Sequence, residues 1–247
     1  MSLGDWNSYR DGGSLSSDAK GTIFTDVLSP MFGTGSVALS HTATTDFQSI
    51  NLTPATSPTG FLSGRMQTLI RLDSFDDGGT PNTQENHVGL LCLQGGENMA
   101  QFGAFGGIGQ CYGCSFSIGE GFSTQNVRLW KFTAGLDGST GNLNPGQVLD
   151  SVPSPFPLTQ SDIVAIEIVW SADPIVITDL GGVLLTVRVG QNSDFSDLQD
   201  VINYVDTITP YTVTVAESVW AGFKNAVSGF ENRVTFDETS LFRTIIT

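Results

Sequence analysis

The stretch Arg65-Met-Gln-Thr-Leu-Ile-Arg-Leu-Asp73 alternates residue by residue. Met66, Thr68, Ile70 and Leu72 fall on one side. Arg65, Gln67, Leu69, Arg71 and Asp73 fall on the other. A period of two over nine residues predicts a β-strand with one face on a core and one toward water. The same alternation recurs outward in both directions, bounded by Gly, Pro, Asn and Asp clusters. It runs through His87 to Gln94, Gly113 to Gly119, Asn126 to Thr133, Ile163 to Trp170, Val183 to Val189, Ser218 to Lys224 and Val234 to Phe242. In Gly113 to Gly119 the apolar parity is carried by Cys114, Phe116 and Ile118. Ile163 to Trp170 and Val183 to Val189 are expected to pair, which sets Glu167 beside Thr186 and Arg188 for cross-strand neutralisation. Two segments break the pattern: the Gly/Phe stretch from Gly95 to Gly109, read as a loop, and Asp194 to Ile202, read as one short helix.

Strands without intervening helices predict an all-β, two-sheet antiparallel β-sandwich of the jelly-roll kind rather than an α/β fold. Residues 1–20, rich in Gly, Ser and Asp, read as an N-terminal arm or an irregular first strand, and 21–247 as a single β-sandwich domain. A chain of 247 residues is long enough to bury a core without disulfide or metal staples. Acidic residues outnumber basic ones 25 to 10, and a net charge of −15 argues against a nucleic-acid partner because phosphate would be repelled. No apolar run approaches the ~20 residues of a membrane-spanning helix, so no membrane insertion is expected. The start, Met1-Ser-Leu-Gly-Asp-Trp, is acidic and polar, unlike an export signal. Three cysteines suit a reducing cytoplasm better than a disulfide framework.

The order of these strands resembles a known family. Gly64-Arg-Met-Gln-Thr-Leu-Ile-Arg-Leu, Tyr112-Gly-Cys-Ser-Phe-Ser-Ile-Gly, Asn126-Val-Arg-Leu-Trp-Lys-Phe, Gly146-Gln-Val-Leu-Asp-Ser-Val, Asp162-Ile-Val-Ala-Ile-Glu-Ile-Val-Trp, Gly182-Val-Leu-Leu-Thr-Val-Arg-Val and Val234-Thr-Phe-Asp-Glu-Thr-Ser-Leu-Phe follow one another as in concanavalin A-like lectin/glucanase domains of the laminin-G-like type. The resemblance runs from Ser36 to Arg243. It implies a concanavalin A-like jelly roll and a module of the kind found in capsid or tail accessories of tailed bacteriophages. The function it implies is that of a non-enzymatic structural or adhesive virion protein, assembled in the host cytoplasm. Its partners would be other virion proteins, further copies of itself in a homo-oligomer, and a host-surface glycan. A stand-alone carbohydrate-binding module is the competing expectation, and a polysaccharide hydrolase or lyase with a rearranged site is a third.

The residues that carry chemistry are sparse. Glucan-cleaving relatives place two carboxylates around the glycosidic oxygen, whereas Glu167 stands alone and Asp237-Glu238 would point to opposite faces. No catalytic residue is therefore assigned. Cys111-Tyr-Gly-Cys114 has half the spacing of a zinc site but no further ligands in register, so Cys92 and Cys114 read as small core residues and no metal site is assigned. His41 and His87 have no nucleophile beside them in a motif. Asp73, Asp76 and Asp77, and Asp194, Asp197 and Asp200, fall in turns that could gather oxygen ligands around calcium. Gly103 to Gly109 lacks the spacing of a dinucleotide loop. Phe102, Phe105 and Tyr112 either fold back on the domain or anchor the Gly loop in a neighbouring subunit. Trp130 shares the parity of Arg128 and Phe132 and is the candidate sugar-stacking platform, while Trp170 and Trp220 read as core.

Overall fold

The structure is a computed structural model and describes residues 6–10, 22–26, 36–41, 45–52, 61–75, 85–95, 110–132, 146–172, 178–211, 216–224 and 232–245. Fourteen strands run through them: β1 (Trp6–Arg10), β2 (Thr22–Asp26), β3 (Ser36–His41), β4 (Thr45–Leu52), β5 (Phe61–Ser74), β6 (Glu85–Gly95), β7 (Gln110–Gly119), β8 (Gln125–Phe132), β9 (Gly146–Pro153), β10 (Ile163–Ser171), β11 (Val183–Gly190), β12 (Gln199–Asp206), β13 (Ala216–Lys224) and β14 (Asn232–Ile245). They form two seven-stranded sheets of order β1-β4-β13-β6-β7-β8-β9 and β12-β11-β10-β5-β14-β3-β2. Every pairing within them is antiparallel. This is the expected sandwich. Trp6–Arg10, in the segment read as an arm or an irregular first strand, pairs in unbroken register with β4.

The inter-sheet core is built by the parity read from sequence. Met66, Ile70 and Leu72 of β5 meet Val164, Ile166, Ile168 and Trp170 of β10 and, from the other layer, Leu90, Cys114, Phe116 and Ile118. Burying branched and aromatic side chains between two pleated surfaces supplies the driving force, on the order of 2 kcal/mol for each large side chain removed from water. Thr68 shares this parity and is fully buried. Its hydroxyl donates to the Asp237 carbonyl at 3.0 Å and pairs with Thr239 Oγ1 at 2.7 Å. Asp237 borders and Thr239 lies within a bulge in β14 between Asp237 and Ser240, where Glu238 takes a φ of 46°. The bulge leaves Asp237 buried and Glu238 exposed, so the two adjacent carboxylates do separate.

Asp194 to Ile202 is not a helix. Asp197 accepts the backbone N–H groups of Gln191 and Asn192 at 2.8 and 2.9 Å, which closes a turn, and β12 starts at Gln199 to pair with β11. Val201, Ile202 and Val205 favour the extended state, and the open β11 edge satisfies their backbone.

Candidate functional site

The first sheet has a second face, away from the inter-sheet core, and the pairing registers order it in rows. His87, Ser117 and Asn126 lie side by side across β6, β7 and β8. The next row runs Trp220, Gly89, Ser115, Arg128 and Ser151, and a third runs Leu91, Gly113, Trp130 and Val148. Aromatic rings cluster here. Trp130 stacks on Phe132 with centroids 6.1 Å apart, His87 meets Trp130 edge-on at 5.0 Å and stacks beside Trp220 at 6.1 Å. Gly113 makes room for the Phe132 ring, and Gly89 for the backbone of β7. A methyl group on Gly113 would come within 3.0 Å of the Phe132 ring, and one on Gly89 would lie 2.0 Å from the Cys114 carbonyl oxygen.

A line of hydrogen bonds runs through the cluster. The Trp130 indole N–H donates to Ser115 Oγ at 2.9 Å, Ser115 and Ser117 hydroxyls pair at 3.1 Å, and Ser117 Oγ pairs with His87 Nδ1 at 2.8 Å. The Trp220 indole N–H is shared between the Leu90 and Cys114 carbonyls at 3.2 Å each. At the edge of this face, Arg128 makes a two-pronged pair with Glu85, its Nη2 donating at 2.7 Å, and its guanidinium lies 5.7 Å from the centre of the Trp130 ring. Ser151 and Val148 beside them are exposed. The face thus passes from a closed aromatic and hydroxyl interior to a half-buried rim of Arg128 and Glu85, with Ser151 exposed beside it.

Several sequence expectations are corrected by this geometry. Trp130 is only 7% exposed, so it is not an open stacking platform; parity placed it correctly, but the face it occupies is buried. Tyr112 is 0% exposed and belongs to the inter-sheet core rather than to a loop that reaches a neighbour. Its parity with Cys114, Phe116 and Ile118 is the signal that marks it. Phe102 and Phe105 lie outside the described residues, as do Asp76 and Asp77. Trp170 is core, whereas Trp220 is buried on the far face of the first sheet.

Cys92 and Cys114 sit on adjacent strands in the core, as expected. Cys111 faces the opposite way, because residues three apart on an extended strand cannot share a side. All three are free, and burial pushes each thiol well above its ordinary range, with Cys114 and Glu217 adding to the effect at Cys92. The described acidic turn residues are already engaged. Asp73 accepts from Arg71 Nε and Thr235 Oγ1, Asp194 from the Ser196 N–H at 3.0 Å, and Asp200 from Arg188 Nε at 2.6 Å. Among the described residues no three His, Cys, Asp or Glu side chains converge as a metal site would require, and no helix is long and apolar enough to cross a membrane.

No protein-family model and no curated protein matches the chain. Solved structures do. The exoplasmic/lumenal domain of VIP36 in a Ca2+/Man2-bound form matches with a TM-score of 0.52 at 11% identity, over 98% of this chain and 82% of that one. The legume lectin-like domain from Entamoeba histolytica matches at 0.50 and 12% identity, over 99% and 92%. A family 7 alginate lyase solved with substrate matches at 0.50 and 9% identity, over 99% and 95%. On this likeness, and on its two antiparallel sheets, the chain has the concanavalin A-like sandwich fold of the legume-lectin-like domains.

Proposed function

We propose that the chain is a glycan-binding module of 21–247 that holds its ligand without turning it over. What supports this most directly is the far face of the first sheet, where an aromatic and hydroxyl layer opens onto the Arg128–Glu85 rim. A guanidinium fixed by a carboxylate offers planar, oriented N–H donors, and the carboxylate oxygens beside it offer acceptors, a pairing that matches the vicinal hydroxyls of a sugar. The fold is shared with a domain solved in a Ca2+/Man2-bound form, which favours a glycan ligand here. The described carboxylates favour binding over cleavage: Glu167 is committed to two guanidiniums, and of the adjacent pair Asp237 is buried while Glu238 is exposed.

A glycan array with the purified chain, run with and without calcium, tests the proposal. Binding to a defined set of glycans that weakens at least tenfold in Arg128→Ala supports it. Binding to none, or release of reducing or unsaturated sugar from any of them, overturns it.

A second reading places this module on a bacteriophage particle, as an oligomer in contact with other virion proteins. Three free, buried thiols support it, since they suit synthesis and assembly in a reducing cytoplasm. Multiple copies on one particle would turn weak individual contacts into firm attachment. Co-purification with a major capsid or tail protein, and a multimer in light scattering, are the outcomes it requires.

A further inference from the structure

Lys131 lies on the core side of β8 and Asp206 ends β12, so each belongs to a different sheet. Their side chains are only 5% and 3% exposed. Lys131 Nζ is in hydrogen-bond contact with three oxygens: Asp206 Oδ2, the Ile208 carbonyl, and the Thr209 carbonyl at 3.2 Å. The carboxylate has neutral donors on both of its oxygens. Oδ1 accepts the Ile208 N–H at 3.0 Å, and Oδ2 accepts the Tyr112 hydroxyl at 2.5 Å. Tyr112 Oη in turn accepts the Tyr211 N–H at 3.0 Å, and the Tyr211 ring closes over Nζ at 5.0 Å.

Two charges cut off from water are costly to keep, and this pair is held in direct contact with neutral donors on both carboxylate oxygens. Once a proton has moved to the carboxylate, the amine keeps two N–H bonds and one lone pair. The Ile208 and Thr209 carbonyls take the two hydrogens, and the contact that remains to the lone pair is the Asp206 carboxyl. We propose that Lys131 and Asp206 condense to form an internal amide that ties the two sheets covalently.

The step balances without any co-reactant. One ammonium proton passes to Oδ2, and the Nζ lone pair forms a bond to Asp206 Cγ. Negative charge gathers on Oδ1, where the Ile208 N–H faces it in the manner of an oxyanion-hole donor. A second proton moves from nitrogen to Oδ2, steadied by the Tyr112 hydroxyl, and the Cγ–Oδ2 bond breaks. The ammonium and the carboxylate become one amide N–H and one water.

Mass spectrometry of the denatured, reduced full chain is the test, and it is independent of any glycan ligand. The expected mass is the sequence mass less one water, with a fragment in which the peptide containing Lys131 is joined to the one containing Asp206. Loss of water could also arise as a succinimide at Asp11-Gly12, Asp77-Gly78 or Asp137-Gly138, so the fragment map is part of the readout. The full sequence mass overturns the proposal, as does water loss mapped anywhere but Lys131 and Asp206. Lys131→Arg is expected to return the full mass. The wild-type result decides the matter even where that variant does not fold.

Discussion

Arg188 stands directly opposite Glu167 across the β10–β11 pair, and its Nη1 donates to the Glu167 carboxylate at 3.0 Å. Arg65 approaches the same carboxylate from the β5 side at 3.9 Å. Glu167 is 1% exposed, while the two arginine side chains are 46% and 36% exposed. The anion is therefore the buried partner and the cations reach water. Their solvent-facing heads damp the Coulombic gain, but they also spare the carboxylate from being stranded.

The two halves of this arrangement are expected to respond unequally. Glu167→Gln keeps the shape and an acceptor for Arg188, and should cost about 1 kcal/mol. Arg188→Ala leaves a buried carboxylate with only the longer Arg65 contact, and should cost about 3 kcal/mol. Urea denaturation of both variants checks the order; equal losses would show that Glu167 does not depend on Arg188.

Gly64 and Gly89 are both places where a methyl group has nowhere to go. At Gly64 it would lie 2.5 Å from the Trp170 ring and 2.7 Å from the Phe242 carbonyl oxygen, and at Gly89 it would lie 2.0 Å from the Cys114 carbonyl oxygen. At Gly64 the Trp170 ring can tilt and the Phe242 carbonyl must shift by a smaller distance, whereas at Gly89 every near atom is β7 backbone, which can yield only by parting β6 from β7. Gly64→Ala is expected to cost about 1–3 kcal/mol, and Gly89→Ala more. Thermal melts followed by tryptophan fluorescence would reveal the difference, with a lower midpoint for Gly89→Ala than for Gly64→Ala.

Because Trp130 is buried with its indole N–H bonded to Ser115, Trp130→Phe should act on stability rather than on glycan affinity. A loss of about 1–2 kcal/mol is expected from the missing hydrogen bond and the smaller ring. Titration with any glycan that the array identifies should give an unchanged Kd at a temperature where the variant is folded. A large loss of affinity would put the indole back in contact with the ligand.

The thiols give a pH dependence whose sign is fixed. Each is held protonated in the fold, above its ordinary value of 9.0, so the unfolded chain releases these protons first. Above pH 9 the unfolded state binds fewer protons than the native state, and stability falls as pH rises, by about 1.4 kcal/mol per pH unit for each thiol. Tyr112 and Tyr211 are raised too, chiefly by burial and, at Tyr112, by its hydrogen bond to Asp206, and they add to the fall above pH 10. Urea midpoints between pH 7 and pH 10 measure this, and Cys111→Ala should flatten the slope by one thiol's share. In the same frame, an aromatic disulfide reagent at pH 8 should find no reactive thiol in the native chain and three after denaturation.

Sequence alone determined that Met66, Ile70 and Leu72, and likewise Ile166, Ile168 and Trp170, face a common core, and that Glu167 has a basic neighbour on the next strand. Side chains on a strand alternate by geometry, so parity and hydrophobicity together identify the core face. They do not say what lies against the other face. Trp130 and Trp220 were visible as residues, but only the assembled sheet buries them together with His87 and the Ser115–Ser117 pair. Lys131 follows Val127 and Leu129 in parity, yet nothing local tells a buried lysine from one at a frayed strand end. Its partner Asp206 is 75 residues away on the other sheet and meets it only when the two layers close. Contacts between neighbours along and across strands follow from the covalent chain and its period; contacts between layers depend on how the layers pack, and no run of residues encodes that by itself.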